Sequence, residues 1–592
     1  MSATADQPGR TLRDSLAYEP QVLKFGTSGR RGEVIHLTQL EIYINALAEL
    51  EYLQSQPAGA GGIRKGDQFF IAYDLRPSST RIAADQGNRG ELAQAVVQAI
   101  GDAGMKCINL GALPTPALTF HALVHGKGSI MITGSHIPFE RNGYKTNSAK
   151  GELLKKDEGP INARVEQVRQ RIYAQPATAS LFDSQGMFKG GSRPLPPENP
   201  AAREGYIRRY TDFFGPDALR GVNLLAYQHS AVGRDLLVEI LRKLGATVTP
   251  AGRSDTFVPI DTEAIDAAQL GVVQHLVDQH WKTSGPFDAV VSTDGDSDRP
   301  LILGIEKSQQ QGGKVRFFGG DLVGMIVAEF LGADAVVVPI SCNDAVDRGS
   351  LKNMVEPRTR IGSPHLIVAM EQARAKGRKA ICGWEANGGF LTGSDIARDG
   401  KTLRALPTRD ALLPIIAVLA SARQQGISVI DLFRRLPPRF SRAALLRNIP
   451  RATGMAIVQK FSPAQPAIKE AIFADGDVRL FDDAGRPITP VPVVTQPLLA
   501  IREELATLFT SGDGFDAIVR LNYIDGVRLG FANGDVAHIR PSGNADELRM
   551  YAVSDTQARA DTIAAIGVRE PDGILRRLAQ EARAARAVRQ QA

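Results

Sequence analysis

Three aspartates at alternate positions, Asp294, Asp296 and Asp298, close the apolar run in Phe287-Asp-Ala-Val-Val-Ser-Thr-Asp-Gly-Asp-Ser-Asp-Arg299. Carboxylates so close repel one another unless a cation neutralises them, and hard oxygen ligands suit Mg²⁺. A calcium-binding EF-hand loop opens in the same way, but it needs Gly at the sixth position and Glu at the twelfth, where this chain has Arg299 and Ile305. The pair Asp475 and Asp477 lacks a third carboxylate and reads as a hairpin turn. A second stretch, Ile130-Met-Ile-Thr-Gly-Ser-His-Ile-Pro138, reads as a strand running into a loop. Gly134 is expected to let the backbone turn, leaving Ser135 at the strand's carboxyl end, where α/β sheets commonly hold ligands. Ser135 is there either a nucleophile or a turn serine bonded to a nearby amide.

Two further loops carry polar groups of a different kind. In Ile381-Cys-Gly-Trp-Glu-Ala-Asn-Gly-Gly-Phe390, Glu385 and Asn387 offer a carboxylate and an amide suited to paired sugar hydroxyls, although the two glycines also fit a generic turn. In His538-Ile-Arg-Pro-Ser-Gly-Asn-Ala-Asp-Glu-Leu-Arg549, Arg540 can fork onto a phosphate. Ser542 and the amides around Gly543 and Asn544 form a candidate anion nest there, and the bland alternative is a hairpin with a surface Arg.

The elements that must position these loops follow from patterning. Short β-branched runs, Phe69 to Ala72, Ile130 to Thr133, Leu224 to Tyr227, Ala289 to Ser292, Val336 to Ile340 and Ala380 to Cys382, alternate with helix-period segments, which predicts α/β layers. Breaks at Pro194 to Pro200, Gly312 to Gly320 and Pro437-Pro438 divide the chain into domains of residues 1–200, 201–315, 316–436 and 437–592. The last changes character, with turn-rich strands expected from Val478 to Val494 and Ala517 to Val553 and an insertion between about Arg451 and Ser511. A chain of 592 residues, 43% hydrophobic and 23% charged, is an ordinary multidomain globular protein.

Charge and composition exclude several classes. The 70 basic against 64 acidic residues leave little excess, and the Arg-spotted stretch Arg576 to Arg589 reads as an exposed helical end rather than a nucleic-acid-binding segment. The longest nearly apolar stretch, Ala411 to Ala422, holds Pro414 and falls well short of the ~20 residues that cross a bilayer. Cys107, Cys342 and Cys382 are too widely spaced for a CxxC pair, and a disulfide framework is not expected. The polar first twenty residues lack the apolar core of a secretory signal, so a cytoplasmic location is expected.

Taken in order, the four loops resemble the signature set of the α-D-phosphohexomutase superfamily. Thr133 to Pro138 is similar to its phosphoserine loop, Asp294 to Arg299 to its metal loop DGDxDR, Trp384 to Gly389 to its sugar loop and Arg540 to Asp546 to its phosphate loop. Phe25-Gly-Thr-Ser-Gly-Arg-Arg-Gly32, which contains Arg31, looks like the N-terminal FGTSGxRG, and Tyr73-Asp-Leu-Arg-Pro-Ser78 and Asn142-Gly-Tyr-Lys145 agree as well. There are departures. Asn387 stands where many relatives have Ser, and Gly389 where they have His, an arrangement similar to that in N-acetylglucosamine phosphomutases; Asn544 and Asp546 replace Thr and Pro. The Thr133 to Pro138 loop followed by Arg141-Asn-Gly143 looks most like bacterial phosphomannomutases.

The resemblance implies three α/β domains with mixed sheets around a central cleft, plus a smaller C-terminal α+β domain. It implies a mutase that moves a phosphoryl group between C1 and C6 oxygens of a hexose through phosphorylated Ser135, with Mg²⁺ held by Ser135, Asp294, Asp296 and Asp298. The partner is a small sugar phosphate, and a hexose 1,6-bisphosphate acts as intermediate and activator. Lys145 and His365, in Gly362-Ser-Pro-His365, are the candidate general bases, and His136 either orients Ser135 or caps its loop. Arg31 and Arg299 are expected near phosphate, Glu385 and Asn387 on the sugar, and Arg540, Ser542, Gly543 and Asn544 around a phosphate presented in both orientations. Mannose is the expected hexose, with glucose or an amino sugar as the alternative. A non-catalytic sugar-phosphate sensor is the rival from another class, and it would be expected to have lost Ser135 or an aspartate.

Overall fold

The computed structural model describes residues 9–263, 265–308, 312–474, 476–542 and 546–591, and the side chains of 307, 308 and 585–591 are not part of that description. The chain folds as two compact units, one of Met1–Phe318 with Gly389–Ile430, the other of Gly319–Gly388 with Asp431–Ala592.

The first unit contains two mixed sheets, as the alternating pattern predicts. In one, Gln68–Tyr73 runs parallel to Lys106–Ala112 and Ser129–Ile132, while Arg141–Ser148 pairs antiparallel with Ser129–Ile132 and with Arg30–Glu33. Parallel strands need helical crossovers, and Leu92–Asp102 and Thr115–His125 supply them. The core here joins Ile71, Ile130 and Ile132 to the helix Gln39–Ser55, which is buried along most of its length. In the other sheet Asn223–His229 lies between Thr247–Arg253 and Ala289–Thr293, all parallel, and Pro300–Ser308 and Gly312–Phe317 extend it antiparallel. Ser129–Ile132 and Ala289–Thr293 are buried on both faces, which is why each reads as a continuous apolar run. Each ends where a chemistry-bearing loop begins.

The second unit holds the parallel pair Ala335–Val337 and Ile381–Trp384, and an eight-stranded antiparallel sheet built from Phe440 onward. The first of these strands stops at Val337, shorter than the expected Val336 to Ile340, because Pro339 has no amide hydrogen to give to a ladder. In the large sheet one face carries Ala471, Leu521, Leu529 and Ile539 into a core shared with Ile457, Leu505, Ile563 and Leu578 of the covering helices. The expectation of strands up to Val494 fails at its end. Only Asp477–Phe481 and Pro487–Ile488 are strands, and Pro492 opens the helix Pro492–Leu508, where a proline's missing N–H costs nothing. Glu470–Ala474 and Asp477–Phe481 form the expected hairpin, with Asp475 outside the described residues. The Arg-spotted C-terminal segment is the helix Ile574–Gln591, whose first turns bury Ile574, Leu575 and Leu578. No helix among the described residues is long and apolar enough to cross a membrane.

Candidate active site

Ser135 follows the buried strand Ser129–Ile132 and is itself 3% exposed. Its backbone is left-handed, with φ 57°, a conformation L-residues other than glycine adopt only when their surroundings impose it. Here the surroundings are visible. Thr133 Oγ1 accepts the Ser135 amide at 2.7 Å and donates to Asp74 at 2.8 Å. The Arg76 guanidinium, paired with Asp74 at 3.1 Å, donates to the carbonyls of Ser135, Ile137, Pro138 and Arg141 and so clamps the whole loop. The reason for glycine at 134 therefore differs from the one expected. The turn falls on Ser135, and a Cβ at 134 would lie 2.5 Å from Arg76 Cζ.

The aspartate loop packs against this one through backbone. A Cβ on Gly295 would stand 2.5 Å from the Ser135 carbonyl oxygen, so glycine is what allows the two loops to meet. Asp294 Oδ1 accepts the amides of Asp298 and Arg299, both at 3.1 Å, while its Oδ2 accepts the Ser135 hydroxyl at 3.0 Å. Asp296 Oδ2 accepts Thr115 Oγ1 at 2.7 Å. His229, buried, donates from Nε2 to the Thr293 carbonyl at 2.7 Å and steadies the strand end that carries the loop.

Cations surround the triad. Lys145 Nζ donates to Asp296 and Asp298 at 2.7 Å each, and Arg409 donates to Asp298 from Nε at 3.1 Å and from Nη2 at 3.0 Å. Arg299 lies 3.7 Å from Asp298 and 3.9 Å from Asp294. Lys145 is held between Tyr144 and Thr146, which point to the opposite face of their strand and both donate to the buried Glu49. Arg31 lies within electrostatic reach of Asp296 and Asp298; burial, then crowding by Arg76 and Arg409, lowers its hold on its proton against the pull of Asp296. His136 follows Ser135 and is half-buried.

The carboxylates are not equivalent. Burial, then the charges of Asp296 and Asp298, push Asp294 well above the ordinary carboxylate value. Burial opposes charge on Asp296 too, but Lys145, Thr115 and Arg409 outweigh it and hold that group low. Asp298 is likewise low, with burial overcome by Arg409, Lys145 and Arg299. Ligand oxygens from all three residues lie within 4.8 Å of one another, and Oδ1 of both Asp296 and Asp298 is buried with no hydrogen bond among the described residues. Two orphaned carboxylate oxygens beside a third, proton-hungry carboxyl fit a hard divalent cation, which supplies the missing compensation.

The second unit carries the remaining predicted residues. Glu385 and Asn387 are 3% and 7% exposed on the loop after Ile381–Trp384, where Gly388 donates to the Glu385 carbonyl at 2.9 Å. His365 stands in the first turn of the helix Ser363–Ala375. Arg540 Nε pairs with Asp525 at 3.1 Å, and the other oxygen of Asp525 accepts the Ile361 amide at 3.0 Å. Asp525 thus ties Arg540 to the segment leading to His365. Ser542 is buried and its amide donates to the Glu547 carbonyl at 2.8 Å, while Gly543 and Asn544 lie outside the described residues.

Models of "Phosphoglucomutase/phosphomannomutase, alpha/beta/alpha domain I" and of domain III of the same family match residues 22–171 and 319–440. A phosphomannomutase of Sinorhizobium fredii is 35% identical over 547 residues, covering 92% of this chain and 98% of that one. The chain belongs to the phosphoglucomutase/phosphomannomutase family. A phosphomannomutase of Salmonella muenchen is 34% identical over 91% of this chain and 94% of its own length. In fold, a phosphoglucomutase/phosphomannomutase family protein from Burkholderia thailandensis aligns with TM-score 0.59 at 15% identity, covering 94% of this chain and 97% of that one.

In this family member, sequence reasoning passed over Arg76, Thr115, Arg409 and Asp525. Arg76 lay within a quoted motif, Tyr73 to Ser78, yet nothing local says its guanidinium serves the Ser135 loop. Arg409 lies at the end of the strand Leu406–Asp410. No local pattern marks it, because its partner Asp298 lies 111 residues away.

Proposed function

We propose that this protein interconverts hexose 1-phosphate and hexose 6-phosphate through phosphorylated Ser135 and a hexose 1,6-bisphosphate, with mannose as the preferred sugar. The observation that carries this reading is the Ser135 hydroxyl, 3.0 Å from Asp294 at the head of a buried three-aspartate cluster. A phosphatase would share those parts, but the buried Glu385 and Asn387 and the Arg540 loop of the same unit favour a sugar that is held and returned. The names of the two relatives near 35% identity support mannose.

Asp294, Asp296, Asp298 and an oxygen on Ser135 would hold Mg²⁺, which when bound neutralises phosphoryl charge. In the forward half-reaction the sugar hydroxyl oxygen attacks the phosphorus on Ser135, the P–Oγ bond breaks and Ser135 keeps the electron pair and takes up a proton. Lys145 and His365 are the two proton carriers, one taking the proton that leaves the sugar and the other supplying the one that Ser135 takes up. Lys145, donating to two carboxylates, is placed to deliver a proton, and His365 has the chemistry to accept one. Arg31 and Arg299 add positive charge beside the triad, and His136 orients the Ser135 loop. Glu385 and Asn387 take sugar hydroxyls, while Arg540, Ser542, Gly543 and Asn544 take the phosphate that is not reacting. The bisphosphate then presents its other phosphate to Ser135, so one cradle serves both half-reactions. Each of the segments 1–200, 201–315, 316–436 and 437–592 contributes one loop. A cytoplasmic site of action is in keeping with Cys107, Cys342 and Cys382 forming no disulfide among the described residues.

A coupled assay with mannose 1-phosphate, glucose 1-phosphate and glucosamine 1-phosphate, each with catalytic bisphosphate, tests the substrate. Mannose 1-phosphate should give the highest kcat/KM, and preference for either other sugar would overturn that part. Arg540→Ala should raise KM for the 1-phosphate and the 6-phosphate alike. Losing one charge-assisted contact costs about 1.5 to 3 kcal/mol, hence roughly ten- to a hundred-fold in KM where it reports affinity. A defect confined to one substrate would contradict the shared cradle.

A further inference from the structure

The large sheet of the second unit has a second face. Val527, Leu529 and Phe531 point into the core, so Arg528 points the other way. The register sets it beside Asn522, with Glu470 next across the sheet. Together with Ile340, Asp347 and Arg358, this polar face encloses a cavity of about 380 Å³. Much of the wall comes from the hairpin of Glu470–Ala474 and Asp477–Phe481, inside the insertion that the mutase reading leaves without a role.

The charges around the cavity are unevenly paired. Asp347 is taken by Arg358 at 2.6 Å, Glu470 lies 3.3 Å from Arg520, and Asp482 accepts Arg486 at 2.7 Å. Arg358 Nη1 is buried with no acceptor among the described residues. The Arg528 side chain makes no hydrogen bond or ion pair among the described residues, although it lines the cavity. Burial first, and then Arg358 and Arg520 close by, weaken its hold on its proton to a pKa of about 10, against the pull of Asp344. A guanidinium is a fork of five donors, and one left without an acceptor beside two like charges is complementary to a phosphate.

We propose that this cavity binds a small polyhydroxylated phosphate ester, its phosphate on Arg528 between Arg358 and Arg520. The volume is that of a site for a molecule of sugar-phosphate size. Asp347, Glu470 and Asp483 supply acceptors for hydroxyls. The site is separate from the Arg540 loop, no residue of which lines the cavity. It gives the insertion a ligand site of its own, and it does not depend on Ser135 or on the mutase reading.

Calorimetric titration of the full chain tests this, with mannose 6-phosphate and inorganic phosphate as probes in an Arg540→Ala background that silences the other cradle. One equivalent of mannose 6-phosphate should still bind, more tightly than inorganic phosphate. Adding Arg528→Gln should weaken that binding about ten-fold or more, as loss of a charge-assisted contact does. Arg358→Gln, with circular dichroism to verify folding, gives the same test should Arg528→Gln misfold. Arg528→Gln alone should leave kcat unchanged. Binding in the Arg540→Ala background that neither substitution weakens would overturn the proposal, as would the absence of any binding there. Equal affinity for the two probes would overturn the assignment of a polyhydroxylated ligand.

Discussion

Ser135→Ala is expected to abolish turnover, by about 10⁴-fold or more, as removal of a covalent nucleophile does, and to lower the intact mass of the purified protein by one phosphoryl group. Folding should be untouched. The loop is held by the Arg76 clamp on backbone carbonyls and by Thr133 on the Ser135 amide, none of which uses the serine hydroxyl. Among the described residues the hydroxyl's one hydrogen bond goes to Asp294. A purified variant of wild-type stability that still carried phosphate and still turned over would place the phosphoryl store on another residue.

Asp296→Ala is the second large effect. Asp296 is fully buried, offers the orphaned Oδ1 and holds Lys145 and Thr115 through Oδ2. Without it, two carboxylates remain for an ion that demands a near-ideal octahedron, and Lys145 keeps Asp298 alone. Loss of metal-assisted charge neutralisation is worth several kcal/mol, so turnover should fall about 10³-fold or more. Asp296→Asn keeps the shape and separates the metal's loss from damage to packing. Titration of activity with Mg²⁺ is the measurement; a curve unchanged from wild type would remove the triad from catalysis.

The loops were legible because their chemistry is local. Three aspartates at alternate positions after an apolar strand state their own electrostatic problem, and the structure places them in one buried cluster. The strands beneath were legible for a related reason, since burial on both faces writes an unbroken apolar run. What was not legible is what depends on distant partners. Arg76 acts on a loop some sixty residues away, and Arg409 reaches Asp298 across 111 residues. Gly134 looked like a turn residue, yet its lack of a Cβ makes room for Arg76 while Ser135 takes the left-handed backbone. Turn-rich strands were expected from Val478 to Val494, yet Pro492, a residue suited to a helix's first turn, opens a helix there. The cavity at Arg528 has no motif, because strand register sets Arg520 and Arg528 on one face while Arg358 comes from a distant loop.

The most direct test of the central claim follows the phosphoryl group itself. Protein carrying a radiolabelled phosphoryl group on Ser135 is mixed with unlabelled mannose 1-phosphate, in excess and with Mg²⁺, and quenched within one turnover. The account predicts that label leaves the protein and appears first in mannose 1,6-bisphosphate and only then in mannose 6-phosphate. Label that stayed on the protein while mannose 6-phosphate formed, or that was released as inorganic phosphate, would contradict it.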